Sequence, residues 1–188
     1  MAGSRCGRPR KTRRKRQLSE LYLVRHAKAI PQGEGLSDRD RPLDDKGHKA
    51  ATALGRWIAK HGLRPDFVLC SPSRRTRQTL EIVENEFGSK PLISFENELY
   101  LAESGSLLTR IRRLSENAES VMIVGHNPGL HDLAQILSGE TVGPLAARLK
   151  DGFPTASLAK FDVLVPWKAL DRRRAHLANL FRPKDQKE

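Results

Sequence analysis

Three short segments hold the residues best suited to chemistry. Arg25-His26 closes the apolar run Leu21-Tyr-Leu-Val24. Ser71-Pro-Ser-Arg-Arg75 follows Phe67-Val-Leu-Cys70, and Gly125-His126-Asn127-Pro128 follows Val121-Met-Ile-Val124. Each run reads as a strand, and each motif continues, directly or through a loop, into a predicted helix. In an open α/β sheet, ligands bind beyond the carboxyl ends of the strands. If these strands are parallel, two histidines and two or three arginines converge on one edge. Arginine forks match phosphate oxygens two at a time, and helix N-termini add partial positive charge, so the expected occupant is an anion. The segments contain no Asp or Glu, which provides poorly for magnesium. No glycine-rich phosphate loop ending in Lys-Ser/Thr occurs. No metal or cofactor is therefore expected. Binding an anion does not by itself call for two histidines. A histidine can attack through one ring nitrogen while a carbonyl holds the N–H of the other.

The elements that must position these motifs follow from periodicity. Residues 31–47, with three Gly, two Pro and several Asp, read as a loop. A helix is predicted over 48–61, with Ala50, Leu54, Trp57 and Ile58 on one face. Ser71 is the expected cap of the next helix, with Pro72 at its first position. In that helix Thr76, Leu80, Val83 and Phe87 make the buried stripe. Residues 92–95 form a third strand. Residues 104–116 form a helix with Leu107, Leu108, Ile111 and Leu114 inward. Val121–Val124 is fully apolar and expected to be central. Pro128 opens a helix through about Leu137, and 139–154 read as loop with one helical turn. Strands are predicted at 156–165 and near 176–181. Strands alternating with helices predict an α/β three-layer sandwich, with a mostly parallel central sheet, helices on both faces and no large lid domain.

The net charge of +12 is unevenly placed. Residues 1–18 carry eight Arg or Lys and no acid, leaving +4 for the rest. This tail has almost nothing to bury and is expected to be disordered, with one domain over 19–188. A bland extension, a nucleic-acid-binding arm and a targeting segment are all open readings of it. No apolar run approaches the ~20 residues of a membrane helix. Two cysteines, Cys6 and Cys70, make no disulfide framework, and a cytoplasmic location is expected.

Leu21-Tyr-Leu-Val-Arg-His-Ala27 resembles the Arg-His-Gly signature of the histidine phosphatase (phosphoglycerate-mutase-like) superfamily. Ser71-Pro-Ser-Arg-Arg-Thr-Arg-Gln-Thr79 is similar to its second motif, Ser-Pro-x-x-Arg-x-x-Gln-Thr, and Val124-Gly-His-Asn-Pro128 to its distal histidine motif. The resemblance covers roughly residues 19–182. Ala27 in place of the usual glycine, and Asp40-Arg-Pro-Leu43 with Gly47, resemble the compact SixA-like phosphohistidine phosphatase branch. Only about 50 residues separate Arg75 from His126, too few for the mutases' lid insertion.

The resemblance implies a phosphohistidine intermediate on His26. It implies that Arg25 and Arg75 clamp the phosphoryl oxygens and that His126 is a further phosphoryl ligand. The motif spacing selects Arg75, leaving Arg74 to solvent. Arg41 and Asn127 are candidate substrate contacts. Glu98 is the nearest match to the family's acidic position and so the candidate general acid. His48, His61, His131 and His176 are expected to be structural or on the surface, and Cys70 to be core. A cysteine phosphatase needs Arg six residues after the Cys, where Thr76 stands. Asp38-x-Asp40 lacks the preceding apolar strand of an aspartate-based phosphatase. The expected substrate is phosphohistidine in a phosphotransfer protein, such as a histidine-phosphotransfer domain. A small phosphoester metabolite is the alternative. A non-catalytic phosphate-recognition module with a nucleic-acid-binding tail is the alternative from a different class.

Overall fold

A computed structural model describes residues 18–33, 35–139 and 143–185. The basic tail, apart from Leu18, lies outside the described residues. Six strands form one sheet: β1 (Ser19–Arg25), β2 (Phe67–Cys70), β3 (Leu92–Phe95), β4 (Ser120–Gly125), β5 (Leu158–Val163) and β6 (Ala175–Phe181). Their order is β3-β2-β4-β1-β5-β6, so the fully buried β4 is central, as its unbroken apolar run requires. The pairs β1–β4, β2–β4 and β2–β3 are parallel, and β5 and β6 join antiparallel.

Five helices cover the two faces: α1 (Asp45–Lys60), α2 (Arg74–Glu84), α3 (Ser104–Arg112), α4 (Gly129–Ser138) and α5 (Pro144–Asp151). Strand alternation divides the core between them. Leu21, Leu23, Val121 and Ile123 pack with Leu107 and Ile111 of α3, Leu130 and Leu133 of α4, and Leu149 of α5. Tyr22, Val24, Met122 and Val124 face the other way, onto Leu54 and Ile58 of α1 and Leu80 and Val83 of α2. The architecture is the expected α/β sandwich with helices on both faces. Between α2 and β4 the chain forms β3, a 3-10 turn at Asn97–Leu99 and α3, which builds no lid.

Several local expectations are corrected. α1 starts three residues early because the Asp44 carboxylate accepts from Gly47 N at 2.6 Å and caps it. Its fully buried positions are Gly47, Ala51, Leu54, Gly55 and Ile58, while Ala50 and Trp57 are half-buried. The expected 31–47 loop contains a 3-10 turn at Asp38–Asp40. α2 starts at Arg74 rather than at Ser71-Pro72, with Ser73 at its N-cap position. Proline holds the residue before it extended, and the Ser71 hydroxyl is engaged elsewhere. α3 ends at Arg112, so Leu114 is buried beyond the helix, not on it. The single turn expected in 139–154 is the eight-residue α5, whose one fully buried residue, Leu149, left little periodicity to read.

Candidate active site

Sheet register brings the three motifs together. Arg25 pairs with Gly125 across β1–β4, and Cys70 pairs with Val124 across β2–β4. The ladder extends one step beyond the strands: His26 N donates to Gly125 O at 3.1 Å, and Ser71 N donates to Val124 O at 2.9 Å. His26, Ser71 and His126 therefore leave three adjacent parallel strands at one edge. There they border an open cleft of about 380 Å³. Its lining includes Arg25, His26, Arg41, Arg75, His126 and Asn127, six of the seven residues proposed from sequence. Glu98 is the exception. It is exposed on the Asn97–Leu99 turn and lines a separate groove beside α3, with Glu103 and Arg110.

The two imidazoles lie 5.2 Å apart, centroid to centroid. His26 Nδ1 lies 2.7 Å from Ala27 O, and a carbonyl can only accept, so Nδ1 carries the proton and Nε2 keeps its lone pair. The next residue is anchored too, as Ala27 N donates to Thr79 Oγ1 at 2.9 Å. Burial, followed by the nearby Arg75, Arg25 and Arg41, lowers the His26 pKa to about 4. His26 is thus a neutral base with a free lone pair at pH 7. Burial, then His26 and Arg75, lowers that of His126 to about 3. His126 Nε2 meets Ser71 Oγ at 2.7 Å, leaving Nδ1 on the side of Arg75, whose Nη2 is 3.4 Å away. A guanidinium can only donate, so Nδ1 accepts from Arg75 and the Nε2–H donates to Ser71 Oγ.

Positive charge is held by fixed partners. Arg25 Nη1 and Asn127 Nδ2 both donate to Phe153 O, at 2.8 and 2.9 Å. Arg75, buried in the first turn of α2 while Arg74 is exposed, donates through Nη1 to Asp38 O. Its Nη2 reaches Asp38 Oδ2 at 3.0 Å. Arg41 Nη1 donates to Ile30 O at 3.0 Å, and its Nε lies 3.0 Å from Asp38 Oδ1 without hydrogen-bond alignment. The Tyr100 hydroxyl donates to Asp38 Oδ2 at 2.5 Å. That bond, and then Arg75 and Arg41, hold the Asp38 carboxyl below the usual carboxylate range. Among the described residues, Arg25 Nε, Arg75 Nε and Asn127 Oδ1 are buried without a hydrogen-bond partner, and Arg41 Nε has only its ion pair with Asp38. Buried donors are rarely left unpaired, so unsatisfied arginine N–H groups beside this cleft suit an anionic occupant.

Sequence reasoning missed the roles of Asp38, Ser71, Thr79 and Tyr100. In sequence, Asp38 suggests only a part of an aspartate-nucleophile motif, and Ser71 only a helix cap. Nothing local marks Tyr100, which reaches Asp38 across 62 positions. Cys70 is core as expected, its thiol pushed up to about 12, chiefly by burial.

The model of the histidine phosphatase superfamily (branch 1) matches residues 21–152, which contain every cleft residue named from sequence. An uncharacterised protein of Mycobacterium tuberculosis, Rv1276c, is 32% identical over 164 residues, spanning 86% of this chain and all of the relative. Among solved structures, one described as a candidate phosphohistidine phosphatase SixA from Agrobacterium tumefaciens superposes with a TM-score of 0.76. It is 33% identical, and the match covers 88% of this chain and 99% of that one. A protein histidine phosphatase SixA complexed with tungstate shares the fold at a TM-score of 0.72 and 22% identity, over 89% of this chain and 99% of its own. With the family matched over most of the chain and the fold shared with a relative of 33% identity, the chain belongs to branch 1 of the histidine phosphatase superfamily and is a phosphatase of the SixA-like kind.

Proposed function

We propose that this phosphatase hydrolyses phosphohistidine on a phosphotransfer protein through a covalent intermediate on His26, without a metal ion. The observation that carries the mechanism is the bond from His26 Nδ1–H to Ala27 O, which points the reactive lone pair of Nε2 away from the backbone. Nε2 attacks phosphorus as the bond to the substrate nitrogen breaks, and that nitrogen leaves with a proton. Water then attacks the phosphoenzyme, the P–Nε2 bond breaks and inorganic phosphate departs. Arg25, Arg41 and Arg75 supply the positive charge that a metal provides elsewhere in phosphoryl transfer. His126, its ring held between Ser71 and Arg75, keeps the Arg75 fork in place beside His26, and Asn127 lines the same cleft.

Two features favour a phosphoramidate. The cleft is open, with no lid among the described residues to enclose a small metabolite. Its carboxylate, Asp38, is held ionised by Tyr100 and the arginines and is a poor acid. An imidazole leaving group protonated on its ring makes a smaller demand on an enzyme acid than an alkoxide does. The SixA-like relative from Agrobacterium agrees with this choice.

The test is incubation with a phosphorylated histidine-phosphotransfer domain, with and without EDTA, beside a panel of sugar phosphates. Higher kcat/KM on the domain, insensitive to EDTA, is the expected result. Preference for a metabolite would displace the substrate assignment. His26→Ala should lower kcat by about 10³-fold or more and abolish the acid-quenched phosphoenzyme. A variant that keeps full activity would refute the nucleophile.

A further inference from the structure

The cleft is lined by Arg25, Lys28, Arg41 and Arg75, but one large apolar side chain, exposed to solvent, also lines it. Among the described residues Leu101 is the exposed large hydrophobic that lines this cleft, with 52% of its surface open to solvent. Its backbone is in the left-handed region, at φ 51°. A non-glycine residue holds that conformation only where its surroundings impose it, and such sites cluster where a side chain must be aimed at a ligand. The constraint is visible on both sides. The preceding residue, Tyr100, is tied to Asp38 by its hydroxyl. Ala102 O of the following residue packs so closely on α4 that a β-carbon at Gly129 would lie 1.9 Å from it. The segment 100–102 is therefore wedged between Asp38 and the N-terminus of α4, with Leu101 turned out at the mouth.

We propose that Leu101 is a specificity-determining residue that packs against an apolar ring bearing the phosphoryl group, in the first instance the substrate imidazole. The inference rests on the phosphohistidine reading and deepens it. The arginines grip the phosphoryl oxygens that every substrate shares. Leu101 touches what lies beyond phosphorus, and so separates ring-bearing substrates from those with a small or polar leaving group.

Two matched pairs of substrates test this, each variant being compared with wild type on the same compound so that intrinsic reactivity cancels. The nitrogen-linked pair is a phosphohistidine domain and phosphoramidate; the oxygen-linked pair is phenyl phosphate and methyl phosphate. Leu101→Ala should lower kcat/KM about tenfold on the ring-bearing member of each pair and less than about twofold on the other, the size expected from losing one apolar contact. Leu101→Gly suits a left-handed backbone. It should show the same selective loss with an unchanged or higher melting temperature, which separates recognition from folding. Equal loss on all four substrates, or no loss on any, would overturn the role of Leu101. Wild type inactive on the phosphohistidine domain would overturn the proposed substrate instead, and the oxygen-linked pair would still decide whether Leu101 recognises a ring.

Discussion

At the scale of residues, the site works by fixing tautomers and suppressing protonation. In the proposed mechanism His26 must be neutral to attack, and its folded pKa of about 4 keeps it so throughout the neutral range. The acid limb of kcat/KM due to His26 should therefore lie near pH 4, not near the ordinary histidine value of about 6.5. The rate of phosphoenzyme formation against pH measures it. The same shift has the opposite sign for stability. As pH falls from about 6.5 toward 4, the unfolded chain binds a proton that folded His26 refuses, so stability is lost across that window and levels off below it. Urea midpoints at pH 7 and 4.5 should show this drop, and His26→Gln should show a smaller one. Ser71 acts through His126. Ser71→Ala should leave the fold intact while lowering kcat about tenfold, because the Nε2 partner that fixes the tautomer is gone. Circular dichroism with steady-state kinetics checks both halves.

At the scale of elements, the site depends on close backbone approaches. α1 and α4 each start at a glycine-dependent contact: a β-carbon at Gly47 would lie 2.0 Å from Lys28 O, and one at Gly129 would lie 1.9 Å from Ala102 O. Neither neighbour is a flexible side-chain tip, so backbone must shift to make room. Gly129→Ala should destabilise the protein by about 1–3 kcal/mol. It should also lower activity, since His126 and Leu101 sit on the two sides of that contact. Thermal melts and kcat/KM report the two effects. The elements themselves were largely legible. Strands with unbroken apolar runs, such as Val121–Val124, and helices with a clear stripe were found within a few residues. α5 was not, because a short helix with one fully buried residue carries almost no periodic signal.

At the scale of the whole molecule, parts distant in sequence hold the cleft's walls. Arg182, nearly buried after β6, donates to Asp185, Asp151 and Arg148 O, tying the end of the chain to α5. α5 leads directly to Phe153, whose carbonyl orients Arg25 and Asn127. Arg182→Ala should cost about 1–3 kcal/mol, since Arg148 and Lys184 still pair with the two carboxylates left behind. A urea titration measures this cost. The sequence by itself determined which residues line the cleft, Glu98 aside, because chemical type and motif spacing are local properties written into consecutive positions. It also determined the fold class, through the alternation of short apolar runs with amphipathic stretches. Only the tertiary structure decided how those residues are held. The pairing of Asp38 with Arg75, of Tyr100 with Asp38 and of Ser71 with His126 spans 37, 62 and 55 positions. Contacts over such distances depend on strand order and register, which fix geometry only when the whole sheet is assembled. Glu98 shows the same limit from the other side. It stood near the right place in sequence, yet the turn at Asn97–Leu99 sends it to the α3 groove and gives Tyr100 and Leu101 to the cleft.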